Sequence, residues 1–171
     1  MKKKNKFGAI DIGSYNCRLL IAEQSGKDRK ILSNSSFPTN LIKNLSYNNE
    51  FNENNISKTL NCLKNFSKKL KKFDVLDYRC IATEACRVVI NPEFFLKSVK
   101  EKTGLNVEII SSNEEARLSL KSSESYIKDI ADDGFIFDIG GGSTELTFFR
   151  AGLSDYKTRS ISYGVINLSE K

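Results

Sequence analysis

Apolar residues come in short strand-like runs at both ends of the chain and recur at helical spacing through its middle. Residues 7–12 form an apolar run that ends at Asp11-Ile12-Gly13-Ser14, and 17–24 continue through Leu19, Leu20 and Ile21. Gly26, Lys27 and Asp28 read as a hairpin turn, and a third strand over 29–37 stops near Pro38. Three strands joined by short turns predict an antiparallel meander. Residues 39–55 are polar and Asn-rich without a clear period, which reads as a loop.

Ile56, Leu60, Leu63 and Leu70, with Phe66 beside them, predict a helix over 55–72. Residues 75–82 return to strand, and a short helix is expected after Thr83. Asn91-Pro92 marks a helix start, with Asn able to cap and Pro at the first helical position; Phe95 and Val99 share a face and Gly104 supplies the stop. Val107, Ile109 and Ile110 form the next strand. Ser112 stands three residues before Glu115, the spacing of a capping box, and Ala116, Leu120, Ser123 and Ile127 line the helix that follows. Strands are expected over 134–139, 143–150 and 157–163, the first of them broken by Gly140-Gly141-Gly142.

A strand, an Asp-Ile-Gly turn and a second strand thus occur twice, with helices and further strands between the copies. That order predicts a mixed sheet with helices packed on it. Ser169-Glu170-Lys171 follow Gly164 without a visible closing element, which suggests a piece of a larger protein.

Composition narrows the chemistry. The 171 residues suit one ordinary domain or two very small ones, and 39% apolar content with 11 Phe and 6 Tyr supports a packed core. The chain has no His, which excludes Ser-His-Asp and Cys-His catalysis within it and leaves acid-base work to carboxylates, Lys, Tyr or Cys. Cys17, Cys62, Cys80 and Cys86 form no C-x-x-C pair and, without His, no zinc site; they read as reduced, buried thiols. The net charge of +6 is compatible with a polyanionic substrate, although Lys, Asn and Ile abundance can also reflect background bias. No signal-peptide core and no membrane-length apolar run is visible, so a cytoplasmic location is expected, with neither membrane nor nucleic acid as partner.

The two Asp-Gly turns carry the candidate chemistry. In each, an apolar strand delivers a carboxylate, Asp11 or Asp138, and glycines allow a tight turn whose N–H groups can face an anion. Ser14, Ser143 and Thr144 add hydroxyls. Carboxylates repel phosphate, so this pairing makes sense with a hydrated divalent cation between them, and Mg²⁺ fits because it keeps several waters and binds through few carboxylates. The sequence lacks a Walker A loop and a dinucleotide fingerprint.

The chain resembles the exopolyphosphatase and guanosine-pentaphosphate phosphatase family, part of the wider actin, sugar-kinase and chaperone-ATPase fold group. The resemblance rests on five strings. They are Ala9-Ile10-Asp11-Ile12-Gly13-Ser14 with Asn16, Arg18, Leu19 and Leu20; Ile81-Ala82-Thr83-Glu84-Ala85-Cys86-Arg87; Val107 to Ser111 with Glu114-Glu115-Ala116-Arg117-Leu118; Phe137 to Leu146; and Tyr163-Gly164-Val165 with Leu168-Ser169-Glu170. Two departures stand out: Tyr15 where the family often has Asn, and Ser111-Ser112-Asn113 without the usual Gly.

The resemblance implies an α/β, actin-like (ribonuclease H-like) lobe with a central mixed five-stranded sheet, residues 1–171 being the N-terminal lobe and the second lobe lying outside this chain. It implies release of orthophosphate from polyphosphate ends or from guanosine pentaphosphate, with Mg²⁺ as cofactor and a homodimer as the full-length form. Glu115 would be the general base, with Glu114 its competitor by adjacency, and Asp11, Asp138 and Glu145 would hold the metal. Gly13, Ser14, Arg18, Arg87, Gly140, Gly141, Gly142, Ser143 and Thr144 would bind phosphate. Each role has a plainer rival: a capping-box glutamate for Glu115, a surface strand residue for Glu145, a solvated side chain for Arg87 and a salt bridge for Arg18. An ATP-dependent kinase or ATPase of the same fold group and a non-catalytic lobe that binds phosphate polymers remain as alternatives. The hydrolase reading needs the two turns to serve one cleft, and weak or no turnover is expected from these residues alone.

Overall fold

A computed structural model describes residues 5–26, 28–45, 49–127, 130–150 and 155–169, in two compact units, Met1–Ile109 and Ile110–Lys171. The first contains a five-stranded sheet in the order β3-β2-β1-β4-β5. Strands β1 (Asn5–Ile12), β2 (Asn16–Ser25) and β3 (Asp28–Pro38) form the expected antiparallel meander; Lys27 of the expected hairpin turn lies outside the described residues. Strand β4 (Asp77–Ala82) joins β1 in parallel and β5 (Glu108–Ile109) joins β4 in parallel, so the sheet is mixed.

Alternation sets its buried face. Ile10 and Ile12 of β1 and Cys17, Leu19 and Ile21 of β2 are all buried. Helix α1 (Glu53–Lys72) covers them with Leu63, Phe66 and Leu70. Its Phe66 ring meets Phe37 of β3 at 6.0 Å, and Gly8 lets Leu70 come close enough that a Cβ there would lie 2.6 Å from its Cδ2. Asn52 caps the helix start through its side chain, and Lys69, Lys71 and Lys72 complement the dipole at its end. Helix α2 (Glu84–Val88) follows β4, and α3 (Pro92–Thr103) starts on proline, without a side-chain bond from Asn91, and ends on Gly104 at φ 75°.

The stretch after β3 corrects the sequence reading. Thr39, Leu41 and Ile42 are buried, so this part of the Asn-rich segment is core wall and not solvated loop. The segment lacks a period because it turns rather than running as an element, with Asn40 and Asn44 at positive φ, a region that Asn tolerates.

The second unit has its own sheet, β6-β7-β8, all antiparallel: β6 (Gly134–Ile139), β7 (Thr144–Arg150) and β8 (Asp155–Ile161). The second Asp-Gly turn therefore belongs to a separate sheet. Helix α4 (Ser112–Ile127) packs on these three strands through Ala116 and Leu120, over the face that carries Glu145, Thr147 and Phe149. A short α5 (Val165–Ser169) follows β8. The start of α4 also differs from expectation: Ser111, not Ser112, caps it, its Oγ accepting from Glu114 N at 3.2 Å. Among the described residues no helix is long and apolar enough to cross a membrane. All four cysteines are free and buried, and burial pushes the Cys80 and Cys86 thiols up to about 12.

The burial of Leu41 is testable. Leu41→Ala should lower the unfolding free energy by about 2–5 kcal/mol in a denaturant titration, the range for a truncated core leucine. A change within about 0.5 kcal/mol, the behaviour of a surface position, would return this segment to solvent.

Candidate active site

Both Asp-Gly turns are four-residue turns closed in the same way. Gly13 N donates to Asn16 O at 3.0 Å, and Gly140 N donates to Ser143 O at 2.9 Å. A Cβ at Gly13 would sit 3.0 Å from Asn16 O and one at Gly140 would sit 3.1 Å from Ser143 O, which is why glycine opens each turn. These two N–H groups are used inside the turns, so Gly13 and Gly140 contribute shape where the sequence suggested phosphate donors.

The carbonyl groups decide what the turns present. In the first turn Ser14 O accepts from Ile42 N at 3.3 Å, and Tyr15 O accepts from Thr39 N and Asn40 N, both at 2.9 Å. A trans peptide points its N–H opposite to its C=O, and no peptide is cis among the described residues. The N–H groups of Tyr15 and Asn16 therefore point away from the bracing segment. That bracing uses only the backbone of Tyr15, whose side chain is exposed; the departure at this position leaves the turn's hydrogen bonds intact.

The second turn is held more completely. Gly140 O accepts from Val165 N at 3.1 Å, Gly141 O from Ile166 N at 3.0 Å and Gly142 O from Asn167 Nδ2 at 3.0 Å. By the same planarity the N–H groups of Gly141, Gly142 and Ser143 all point away from α5, a run of donors suited to an anion. Asn167 is itself fixed, its Oδ1 accepting from Gly164 N at 2.6 Å. Gly164 has no room for a side chain, since a Cβ would lie 2.5 Å from Gly140 O. The Thr144 hydroxyl donates to Tyr163 O at 2.7 Å, so its proton serves the fold and not the ligand.

Charge separates the two turns. Arg18 and Glu145 each stand seven residues after the aspartate, and each pairs across its hairpin with that aspartate: Asp11 with Arg18, Asp138 with Glu145. In the first hairpin Arg18 Nη1 meets Asp11 Oδ2 at 3.3 Å, the salt-bridge alternative for Arg18. The second places two carboxylates opposite each other, an arrangement that costs stability without a compensating cation. Glu145 is only 2% exposed, which removes its reading as a surface residue, and Ser160 Oγ donates to its Oε1 at 2.7 Å.

Such a pair fits Mg²⁺, which takes one or two carboxylates and completes its shell with water. Among the described residues no three Asp, Glu or Cys side chains cluster as metal ligands.

Two more carboxylates complete the inventory. Glu114 is held by Arg117 at 2.7 and 3.0 Å, which with the Ser111 cap gives Glu114 the capping position expected of its neighbour. Glu115, half-buried, donates its N–H to Ser111 O at 2.9 Å. In the first unit Thr83 N donates to Ile12 O at 3.3 Å, which sets α2 beside the first turn. Arg87 on α2 is not simply solvated: its Nε and Nη2 both reach Glu84 Oε2 at 3.0 Å, and Glu84 is buried. Glu84, Asn167 and residues 39–42 are the positioning groups that sequence reasoning missed. The buried glutamate's signals were its place in the Ile81–Arg87 string and its spacing three residues before Arg87.

The family model described as "Ppx/GppA phosphatase family" matches residues 20–171. A curated relative from Fusobacterium nucleatum, a bifunctional 3-dehydroquinate synthase/phosphatase, is 35% identical over 99% of this chain and 27% of its own length. A solved Ppx/GppA family member from Aquifex aeolicus is 31% identical with a TM-score of 0.81, over 99% of this chain and 55% of that one. An exopolyphosphatase structure from Cytophaga hutchinsonii shares the fold at a TM-score of 0.90 and 23% identity, over 97% of this chain and 53% of that one. The chain thus spans roughly half the length of these solved relatives.

The bracing of the second turn predicts a specific sensitivity. In Gly164→Ala the new Cβ must displace the turn, so amide exchange at Val165 and Ile166, whose N–H groups donate to Gly140 O and Gly141 O, should accelerate by about tenfold or more, a loss of about 1.4 kcal/mol in local opening free energy. Unchanged exchange by mass spectrometry would mean that α5 does not hold the turn.

Proposed function

The chain belongs to the Ppx/GppA phosphatase family, and from that premise we propose that it carries phosphate-binding and catalytic groups of a Mg²⁺-dependent phosphoanhydride hydrolase. The substrate would be inorganic polyphosphate or guanosine pentaphosphate, with orthophosphate released from the chain end. The observation that carries the reading is the second turn. Three peptide N–H groups share one side of it, and the strand pair it joins sets Asp138 opposite a buried Glu145.

In this reading Asp138 and Glu145 hold the hydrated cation, whose charge offsets the negative phosphoryl oxygens. The N–H groups of Gly141, Gly142 and Ser143 receive oxygens of the group being transferred, and they are already oriented before substrate arrives. Glu115 accepts the proton of the attacking water. Attack is in line on the terminal phosphorus: the new P–O bond forms to water, the bridging P–O bond breaks, and the shortened chain leaves with the bond electrons. No covalent enzyme intermediate is required. The first turn, whose Asp11 carries its counter-charge in Arg18, is assigned to the phosphate chain together with Ser14 and Arg87. The phosphatase and exopolyphosphatase descriptions of the relatives support this reaction class.

Phosphate release by the whole protein, with and without Mg²⁺, from polyphosphate, guanosine pentaphosphate and ATP tests the proposal. Glu115→Gln should lower kcat about 10²- to 10⁴-fold with little change in KM, the usual contribution of a general base. Glu145→Gln should raise the Mg²⁺ concentration needed for half-maximal rate. Near-normal turnover in Glu115→Gln, or ATP as the preferred substrate, overturns the reading.

A further inference from the structure

The two arginines assigned to phosphate each carry a carboxylate partner. Arg18 Nη1 meets Asp11 Oδ2 at 3.3 Å, and Nε and Nη2 of Arg87 both reach Glu84 Oε2 at 3.0 Å. The pairs differ in setting. The side chains of Arg18 and Asp11 are 61% and 33% exposed, whereas those of Arg87 and Glu84 are only 18% and 8% exposed. Water and salt therefore screen the first pair and leave the second largely intact.

Stability does not account for a buried pair at this place. Taking two charges out of water costs about as much as their attraction returns, and apolar residues of similar volume often serve at least as well. Helix α2 is five residues long and already buries Ala85 and Cys86. Its start is tied to the first turn, since Thr83 N donates to Ile12 O, one residue before Gly13 opens that turn. Glu84 occupies the Nε and Nη2 edge of the guanidinium, which fixes its plane. It also sets a negative charge 3.0 Å from a cation assigned to phosphate.

We propose that Glu84 is a positioning residue that also limits affinity: it aims the Arg87 guanidinium and cancels its charge, so that the first turn holds a phosphate chain by directed hydrogen bonds without excess positive charge. The inference deepens the hydrolase reading and rests on its assignment of Arg87 to phosphate. A chain cut from its end has to shift by one phosphate between turnovers, and every product has to leave. An uncompensated arginine attracts a polyanion from all directions, whereas a compensated one holds it only where its N–H groups point. In the second turn positive charge is left to the cation, through Asp138 and Glu145.

The test is calorimetric titration of the whole protein, at fixed Mg²⁺ and several salt concentrations, with a methylene-bridged tripolyphosphate that resists hydrolysis. Glu84→Gln keeps an acceptor oxygen and the side-chain volume but removes the charge. It should bind at least about threefold tighter than the parent, the scale of one partly screened unit charge. Its log Kd should also vary more steeply with log salt, by about 0.7, the increment of one added phosphate contact on a single strand. A merely structural role for Glu84 gives the opposite result, weaker binding from a loosened α2. A second variant covers a Glu84→Gln protein that does not fold: the double substitution Glu84→Gln with Arg87→Gln conserves net charge and leaves neither member of the pair buried alone. Its affinity should fall while its salt slope stays that of the parent. Unchanged or weaker binding by folded Glu84→Gln, or a shallower salt slope in the double variant, overturns the proposal and leaves the hydrolase reading in place. A parent protein that does not bind the tripolyphosphate overturns that reading and this inference with it.

Discussion

The candidate site depends on how three carbonyl groups are occupied. Gly140, Gly141 and Gly142 each give their C=O to the start of α5 or to Asn167. Peptide planarity then turns the following N–H groups to the opposite side. A glycine turn without such tethers samples many orientations and would have to be ordered by its ligand. Here the ordering cost is met on folding, and the close approach of Gly164 to Gly140 enforces it. This is the physical content of preorganisation: donors fixed before the anion arrives.

The same hairpin, used twice, differs where charge is concerned. The first closes its aspartate with an arginine across the strand; the second sets its aspartate across from a glutamate. Identical backbone geometry therefore yields a locally compensated turn and a cation-seeking one. The packing differs in parallel. The first sheet has α1 over its apolar face, and the second leaves Phe137 and Ile139 open on the corresponding face.

Much of this was legible in the sequence. Short apolar runs ending in Asp-Ile-Gly and followed by a second strand pointed to both hairpins, and leucines at helical spacing pointed to α1. The mixed five-stranded sheet followed from the family resemblance and is what the structure has. Strand alternation does not reveal which strands share a sheet, so the second hairpin's separate sheet was not foreseen. Leu41 and Ile42 were missed because two apolar residues in a turn produce no period. Glu145 was read as a metal ligand from the resemblance, but its burial was not legible, because a glutamate just past a glycine turn ordinarily faces water and this one is covered by α4 and β8, both set by packing. The frame of the α4 cap was ambiguous, since Ser111-Ser112 and Glu114-Glu115 offer two registers. The Glu114–Arg117 ion pair accompanies the one adopted.

The central claim is that the second turn is an anion cradle beside a cation site. Its most direct test is a titration of the ¹⁵N-labelled chain with Mg²⁺ and tripolyphosphate, followed by amide resonances. The account predicts saturable shifts at Gly141, Gly142 and Ser143 that weaken when Mg²⁺ is withheld. Shifts that spare these three amides while surface lysines respond would contradict it.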